Sequence, residues 1–276
     1  MEALLVQNKR IRGPVVAGMY YPEYKREMLD YIKKFGLVNK KGGFAQAIIA
    51  PHGAWDFSGA LAARAFLSAM GRGESVNRVV ILGPIHDKRE KGIFLSNSHS
   101  FCTPLGNIPV DLEKTEEFEF TGDYFETNDI PHLAEHSIEI LLPFVKYCFP
   151  HASIVPILMG ESGKKHIRDL AVTLKSVIGP VLDETLLVVS SNLSCDRDKG
   201  LSKQRAMECQ SLFCDKNAVK LTSAVLDGSV NACGGALVAG LLESGLLNNY
   251  SGFACDMVSA VGTEENTVFY NSFFYE

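Results

Sequence analysis

The sequence predicts an α/β fold in a single domain, with a mainly parallel central sheet flanked by helices. Short apolar runs of strand length recur along the chain, and most are continuous rather than alternating, which is typical of strands buried on both faces. Segments with a helical spacing of apolar residues lie between these runs. The chain of 276 residues shows no internal repeat and no low-complexity linker, so we expect residues 1–276 to form one domain.

Four of the apolar runs are predicted strands before residue 190, and two more follow near the carboxyl end. They are 46–50, 78–82, 154–159, 186–189, 253–261 and 267–274. Because strands alternate with helices, we expect right-handed crossovers and parallel pairing, with antiparallel strands at the carboxyl end.

Three stripes of apolar residues predict amphipathic helices. They begin at Met28, Ile138 and Leu237. Pro143 lies within the second stripe, where it either kinks the helix or marks its effective start.

Composition excludes several classes of partner. The net charge is −5 and the basic residues are scattered, so nucleic acid and anionic membranes are not expected partners. The most apolar window, 236–247, is interrupted by charge and glycine and predicts no membrane span. The amino terminus lacks the pattern of a signal peptide. The seven cysteines include no C-x-x-C pair, and they predict reduced thiols in a cytoplasmic protein.

Histidines follow two of the predicted strands at the point where each strand ends. His52 comes after the run 46–50, and His86 comes after the run 78–82. In open parallel sheets the carboxyl ends of the strands line the crevice where ligands bind, so His52 and His86 are candidate ligands of one metal ion. The alternative is that each histidine only caps a strand end.

A cysteine precedes the third predicted helix. Cys233 lies next to its amino terminus, where the positive end of the helix dipole lowers a thiol pKa and favours thiolate. The alternative is an inert buried cysteine. Neither G-x-G-x-x-G nor G-x-S-x-G occurs in the chain, which argues against a dinucleotide fold and a hydrolase nucleophile elbow.

Several short motifs occur in the order seen in the Memo family, whose bacterial and archaeal members are called AmmeMemoRadiSam system protein B. They are 17–22, 48–53, 81–86, 135–139, 188–191 and 233–234. The most specific of them is Glu-His-Ser-Ile-Glu at 135–139. The resemblance covers nearly the whole chain, and it implies a fold similar to that of the class III extradiol ring-cleavage dioxygenases.

The resemblance also implies a metal site and a function. The family's histidine ligands match His52 and His86, and its cysteine matches Cys233. The implied metal is iron or copper in a redox role, and open positions would take oxygen or a small oxygenated substrate. The alternative is a non-enzymatic scaffold that binds a peptide or another partner in the same cleft, so whether the chain is an enzyme stays open.

Two residues depart from the family pattern beside this site. The family usually carries Asp and, three residues later, His where this chain has Asn192 and Cys195. Loss of a carboxylate and an imidazole weakens binding of hard metals, whereas an added thiol suits copper(I), zinc or thiol redox chemistry. We therefore expect Asn192 and Cys195 to lie at the site and to act in its chemistry. Asp87, next to His86, is the candidate carboxylate to support that ligand.

The remaining candidate is His136. As a general acid or base it would be influenced by Glu135 and Glu139, which favour its imidazolium form; the alternative is a cap at a helix start. Residues 132–136 also match the H-x-x-E-H pattern of zinc peptidases. We expect the helix to start near His136 and His132 to lie in a loop, which argues against a peptidase.

Overall fold

The computed structural model describes residues 9–38, 41–261 and 265–276. Most of the segment used for the signal-peptide prediction, residues 1–8, lies outside the described residues.

The helices are α1 (Lys25–Lys34), α2 (Ala60–Ala69), α3 (Leu112–Thr121), α4 (Ile130–Ala134), α5 (Leu142–Cys148), α6 (Lys164–Ile178), α7 (Lys199–Cys214), α8 (Ala218–Leu226) and α9 (Gly235–Glu243). Among the described residues, no helix has the length and apolar composition needed to cross a membrane.

The strands are short, and most of them join one large sheet. They are β1 (Ile11–Arg12), β2 (Ala47–Ala50), β3 (Arg78–Pro84), β4 (Ile93–Leu95), β5 (Ser100–Thr103), β6 (Gly106–Pro109), β7 (Phe125–Thr127), β8 (Ser153–Met159), β9 (Thr185–Ser190), β10 (Ser194–Asp196), β11 (Gly252–Ala254), β12 (Val258–Val261), β13 (Thr267–Tyr270) and β14 (Phe273–Tyr275). The large sheet has the order β11-β14-β2-β9-β3-β8-β4-β7.

The centre of the large sheet is parallel. Strands β2, β9, β3 and β8 pair in parallel, while β14 and β4 flank them in antiparallel orientation. The predicted α/β class with a mainly parallel sheet is therefore confirmed.

Both faces of this sheet are covered by helices. Alternate residues of a strand point to opposite faces, and the core accordingly divides into two clusters. Ile49 packs with Leu170 of α6 and Leu237 of α9 in one cluster, whereas Ile48 packs with Phe66 of α2 in the other. Burial on both faces explains why these strands appear in the sequence as continuous apolar runs.

Two predicted strands near the carboxyl end are each two strands in the structure. The run 253–261 divides into β11 and β12, and the run 267–274 divides into β13 and β14. The second break is stabilised locally, because the Asn271 side chain accepts the N–H of Ser272 at 2.7 Å. As a result β13 pairs with β10 and β12 in a separate three-stranded sheet.

The stripe that begins at Ile138 becomes a short 3₁₀ turn, Glu139–Leu141, followed by α5. Pro143 lies in the first turn of α5. Since the first turn needs no N–H donor at that position, the proline marks the effective start of the helix rather than a kink.

A buried ion pair ties the amino-terminal segment to the 130–140 region. Arg12 donates to the Glu139 carboxylate, and both side chains are almost fully buried. Glu139 also accepts the backbone N–H groups of residues 15–16 and the Tyr21 hydroxyl. Arg12 further donates to two carbonyl groups in the 132–135 segment. These bonds offset the desolvation of both charges.

Replacing Glu139 should therefore cost more than replacing an exposed acid. Glu139→Ala leaves the Arg12 guanidinium buried without its partner, and we expect it to lower the free energy of unfolding by about 3–5 kcal/mol. The control is Glu161→Ala, which removes an exposed pair with Lys91 and should change little. Urea unfolding of both variants measures the difference, and equal small losses would contradict this description of Glu139.

Candidate metal centre

The structure brings three of the predicted site residues together. His52 follows β2, His86 follows β3, and Cys233 precedes α9. Strands β2 and β3 are separated only by β9, so their carboxyl ends lie side by side. Cys233 Sγ is 3.3 Å from His52 Nε2, and one ligand atom from each of the three residues lies within 4.8 Å of the others.

A close backbone approach places Cys233 in this group. The next residue, Gly234, packs against the end of β9, where an added Cβ would lie 2.4 Å from the Ser190 carbonyl oxygen. Only glycine permits this approach without a shift of the backbone. The Cys-Gly pair thus docks the start of α9 onto the strand ends that carry the histidines.

The tautomer of His52 follows from its hydrogen bonds. His52 Nδ1 lies 2.7 Å from Ser190 Oγ, and the Ser190 hydroxyl donates its single hydrogen to the Ser137 carbonyl at 2.7 Å. Ser190 can therefore only accept from the imidazole, so Nδ1 carries the hydrogen. Nε2 is therefore the ring nitrogen that faces Cys233.

His86 is oriented in the same way by a carboxylate. Its Nδ1 lies 3.0 Å and 3.1 Å from the two oxygens of Glu135, and its backbone N–H donates to the same group at 2.8 Å. Glu135 also accepts the backbone N–H groups of His136 and Ser137. With Nδ1 donating to Glu135, Nε2 is again the nitrogen free to bind a metal.

The supporting carboxylate is therefore not the one that the sequence suggested. Asp87 turns away from His86 and pairs with Arg89 on the surface. The Arg89 guanidinium lowers the pKa of Asp87 to about 2. Glu135 is the carboxylate that supports His86. The sequence had suggested Glu135 only as a neighbour of His136.

The electrostatics of the group favour a thiolate. Burial opposes ionisation of Cys233, but His52 and His86 outweigh burial and hold the pKa of its thiol well below the ordinary value. The backbone N–H of Asn192 donates to Sγ at 3.1 Å. Burial likewise lowers the pKa of His86, but its hydrogen bonds to Cys233 and Glu135 reverse the shift and raise it. The negative charges on the thiol and on Glu135 thus face the two imidazoles.

His136 lies beside this group in a different protonation state from the one that the sequence suggested. Its ring is 4.8 Å from His86 and 5.9 Å from His52, centroid to centroid. Burial, together with the charges of these histidines, lowers the pKa of His136 to about 4, and Glu135 offsets this only in part. Glu139 is engaged with Arg12. These effects favour the neutral form of His136 near pH 7, whereas the sequence pointed to the imidazolium.

Asn192 and Cys195 differ in their relation to the group. Asn192 Oδ1 accepts the backbone N–H of His52 at 3.1 Å, so this residue touches the backbone of one candidate ligand and the sulfur of another. Cys195 lies in β10, where it pairs with Val268 of β13. It is exposed and does not belong to the described group of ligand atoms.

His132 does not lie in a loop, as the sequence suggested, but in α4, where it is buried. Its Nε2 lies 3.2 Å from the Phe94 carbonyl oxygen, and burial lowers its pKa to about 4. Glu135 has extended backbone angles and ends α4, so His132 and His136 do not share a helical face. These two histidines are therefore not arranged as in the H-x-x-E-H helix of a zinc peptidase, although the reason differs from the predicted one.

Two residues of the centre have roles that the sequence did not predict, namely Ser190 and, as the partner of His86, Glu135. Ser190 was visible as a polar residue at a strand end, but its partner Ser137 lies 53 positions away. Glu135 also belongs to a second group of close ligand atoms, with His86 and His136. Because both groups share His86, they form one continuous polar centre.

Comparison with known proteins gives a consistent result. A family model described as Memo-like protein matches residues 12–223, a range that includes His52 and His86 and ends before Cys233. A MEMO1 family protein of Thermotoga neapolitana is 29% identical over 247 residues, covering 85% of this chain and 88% of that protein. A MEMO1 family protein of Thermotoga maritima is 30% identical over 200 residues, covering 68% and 72%.

A solved structure was also found, titled as an uncharacterized protein JW3007 from Escherichia coli K12. It matches with a TM-score of 0.48 at 8% sequence identity, covering 82% of this chain and 98% of that chain.

The thiolate character of Cys233 has a direct chemical consequence. In chelator-treated protein at pH 7, iodoacetamide should label Cys233 before Cys195, because the thiolate is the reactive form. Burial and Asp196 raise the pKa of Cys195, although this residue is more exposed. Mass spectrometry of the labelled peptides measures the order. In His86→Ala the rate of labelling of Cys233 relative to Cys195 should fall. If Cys195 is labelled first in the wild type, this description is contradicted.

Proposed function

The chain belongs to the Memo-like family, and on this premise we propose that it is a metal-dependent redox protein whose ion is held by His52, His86 and Cys233. One observation carries the proposal. Both imidazoles direct Nδ1 to an oxygen of the protein, and both leave Nε2 for a shared ligand beside the sulfur. Histidines that bind metals are typically oriented in this manner.

The donor atoms fit copper better than a hard metal. Two imidazole nitrogens and one thiolate form the group, and no carboxylate is among these three ligands. Thiolate favours copper(I) and zinc, and a His₂Cys set is typical of copper in electron-transfer sites. Copper in such a set supplies one-electron oxidation and reduction, and iron is the second metal to test. Asn192 replaces the acidic side chain that the family pattern would have placed here, which fits the same preference.

His136 is the residue that we assign to proton transfer. Its Nδ1 lies 3.3 Å from Glu135 Oε1, so Nε2 is the atom left to accept a proton from a bound ligand. Its pKa of about 4 keeps this imidazole neutral near pH 7, as a base requires. Asn192 acts as a positioning residue, because it holds the His52 backbone and the Cys233 sulfur.

We also propose a cytoplasmic location and a small ligand rather than a peptide. The seven cysteines are free thiols in the structure, as expected in a reducing compartment. A cleft that only received a peptide would not require both imidazoles to be oriented by buried partners. A non-enzymatic role in binding a partner therefore becomes the conclusion only if the chain fails to bind metal.

Metal uptake tests the proposed ligands. Wild-type protein purified without a metal-affinity tag should take up about one equivalent of copper or iron, and His52→Ala and Cys233→Ala should each lose that uptake. Cys195→Ser is the matched control, because it also removes a thiol but leaves the three ligands in place. Elemental analysis measures all four proteins. The proposal would be refuted if both ligand variants took up as much metal as the wild type. It would also be refuted if the wild type bound none of copper, iron and zinc.

The role of Glu135 predicts a graded effect on affinity. Glu135→Gln removes the charge that orients His86 Nδ1, and we expect metal affinity to fall by about 10- to 100-fold. Asp87→Asn is the control, since Asp87 contacts Arg89 rather than His86, and it should bind as wild type does. Competition with a chromophoric chelator measures both affinities. Equal losses in the two variants would contradict the assignment of Glu135 as the supporting carboxylate.

A further inference from the structure

A cavity of about 370 Å³ lies beside the metal centre, and Cys233 forms part of its wall. It is located at the carboxyl ends of β3 and β8, against α8 and the start of α9. Its lining includes the apolar side chains of Ile85, Met159, Val225 and Leu237, and polar atoms contribute nearly as much of its surface. Its volume is at the lower end of the range for small-molecule sites, so it fits a small organic molecule.

The charges that line this cavity are not balanced. Glu161 and Lys88 both contribute to the wall, but Glu161 Oε2 lies 3.2 Å from Lys91 Nζ, so its charge has a partner. Within the described residues, Lys88 makes no hydrogen bond and no ion pair. The Cys233 thiolate also lies in the wall, but it faces the imidazoles of His52 and His86. Among the described residues of the lining, Lys88 is thus the charged side chain without a partner, and it favours a ligand that carries a negative charge.

We propose that this cavity binds a small organic anion with an apolar body, and that this molecule is the substrate class of the metal centre. The anionic group pairs with Lys88, and the body packs between Met159 and Leu237, within reach of Cys233. The assignment as substrate rests on the proposed function. Binding of the anion itself does not, because Lys88 and the apolar wall belong to this cavity and are not among the proposed metal ligands.

Matched acid and amide probes test the proposal. Phenylacetate and hexanoate, with phenylacetamide and hexanamide as neutral partners, are titrated into the full chain by ligand-observed NMR. We expect each acid to bind about fivefold more tightly than its amide, and Lys88→Gln to remove this preference. Lys164→Gln is the control, because Lys164 does not line the cavity, and it should keep the preference. Ala236→Leu fills part of the cavity and should weaken acid and amide alike.

Several results would overturn the inference. They are acids that bind no better than amides, an unchanged preference in Lys88→Gln, and no binding of any probe at millimolar concentration. Inorganic phosphate that displaces the acids from a site insensitive to Ala236→Leu would show a surface anion site instead. Metal content is measured on the same samples. Normal metal uptake without acid preference overturns this inference alone. Lys88-dependent acid binding without metal uptake overturns the proposed function and the assignment as substrate, and it leaves only the binding of the anion.

Discussion

The buried carboxylate of Glu135 is the constraint on which the centre depends. It accepts the ring and backbone N–H groups of His86 and the backbone N–H of Ser137. The Ser137 carbonyl in turn accepts from Ser190, whose hydroxyl receives Nδ1–H of His52. One carboxylate thereby sets the orientation of both imidazoles. Its negative charge is stable in the interior because it accepts several hydrogen bonds. Burial raises the pKa of Glu135, but His86 and His136 outweigh burial and lower it to about 2.

The parallel sheet converts this network into a site. Strands β2, β9 and β3 are adjacent and buried, so the residues at their carboxyl ends have little freedom to separate. Helix α9 adds the sulfur, because Gly234 lets its start approach the end of β9. The cavity beside Cys233 opens at the same edge of the sheet, as expected for ligand sites of open parallel sheets. Two of the ligands thus lie just beyond the ends of buried strands, and the third lies just before a helix.

The sequence predicted those features that depend on local pattern, and it missed those that depend on partners far along the chain. Continuous apolar runs revealed the central strands, and the strand-end histidines revealed where ligands would converge. Strands of two or three residues such as β1 and β4 are too short to show periodicity. The protonation of His136 depends on burial, and the position of Cys195 depends on pairing of β10 with β13. Neither can be read from neighbouring residues.

X-ray absorption spectroscopy of the copper-loaded protein tests the central claim most directly, because it identifies the atoms bound to the ion. If His52, His86 and Cys233 hold the metal, the wild type will show one sulfur neighbour and two imidazole nitrogens. Cys233→Ser will lose the sulfur, while Cys195→Ser will retain it. A wild-type spectrum with only nitrogen and oxygen neighbours, or a sulfur signal that disappears in Cys195→Ser, would contradict the account.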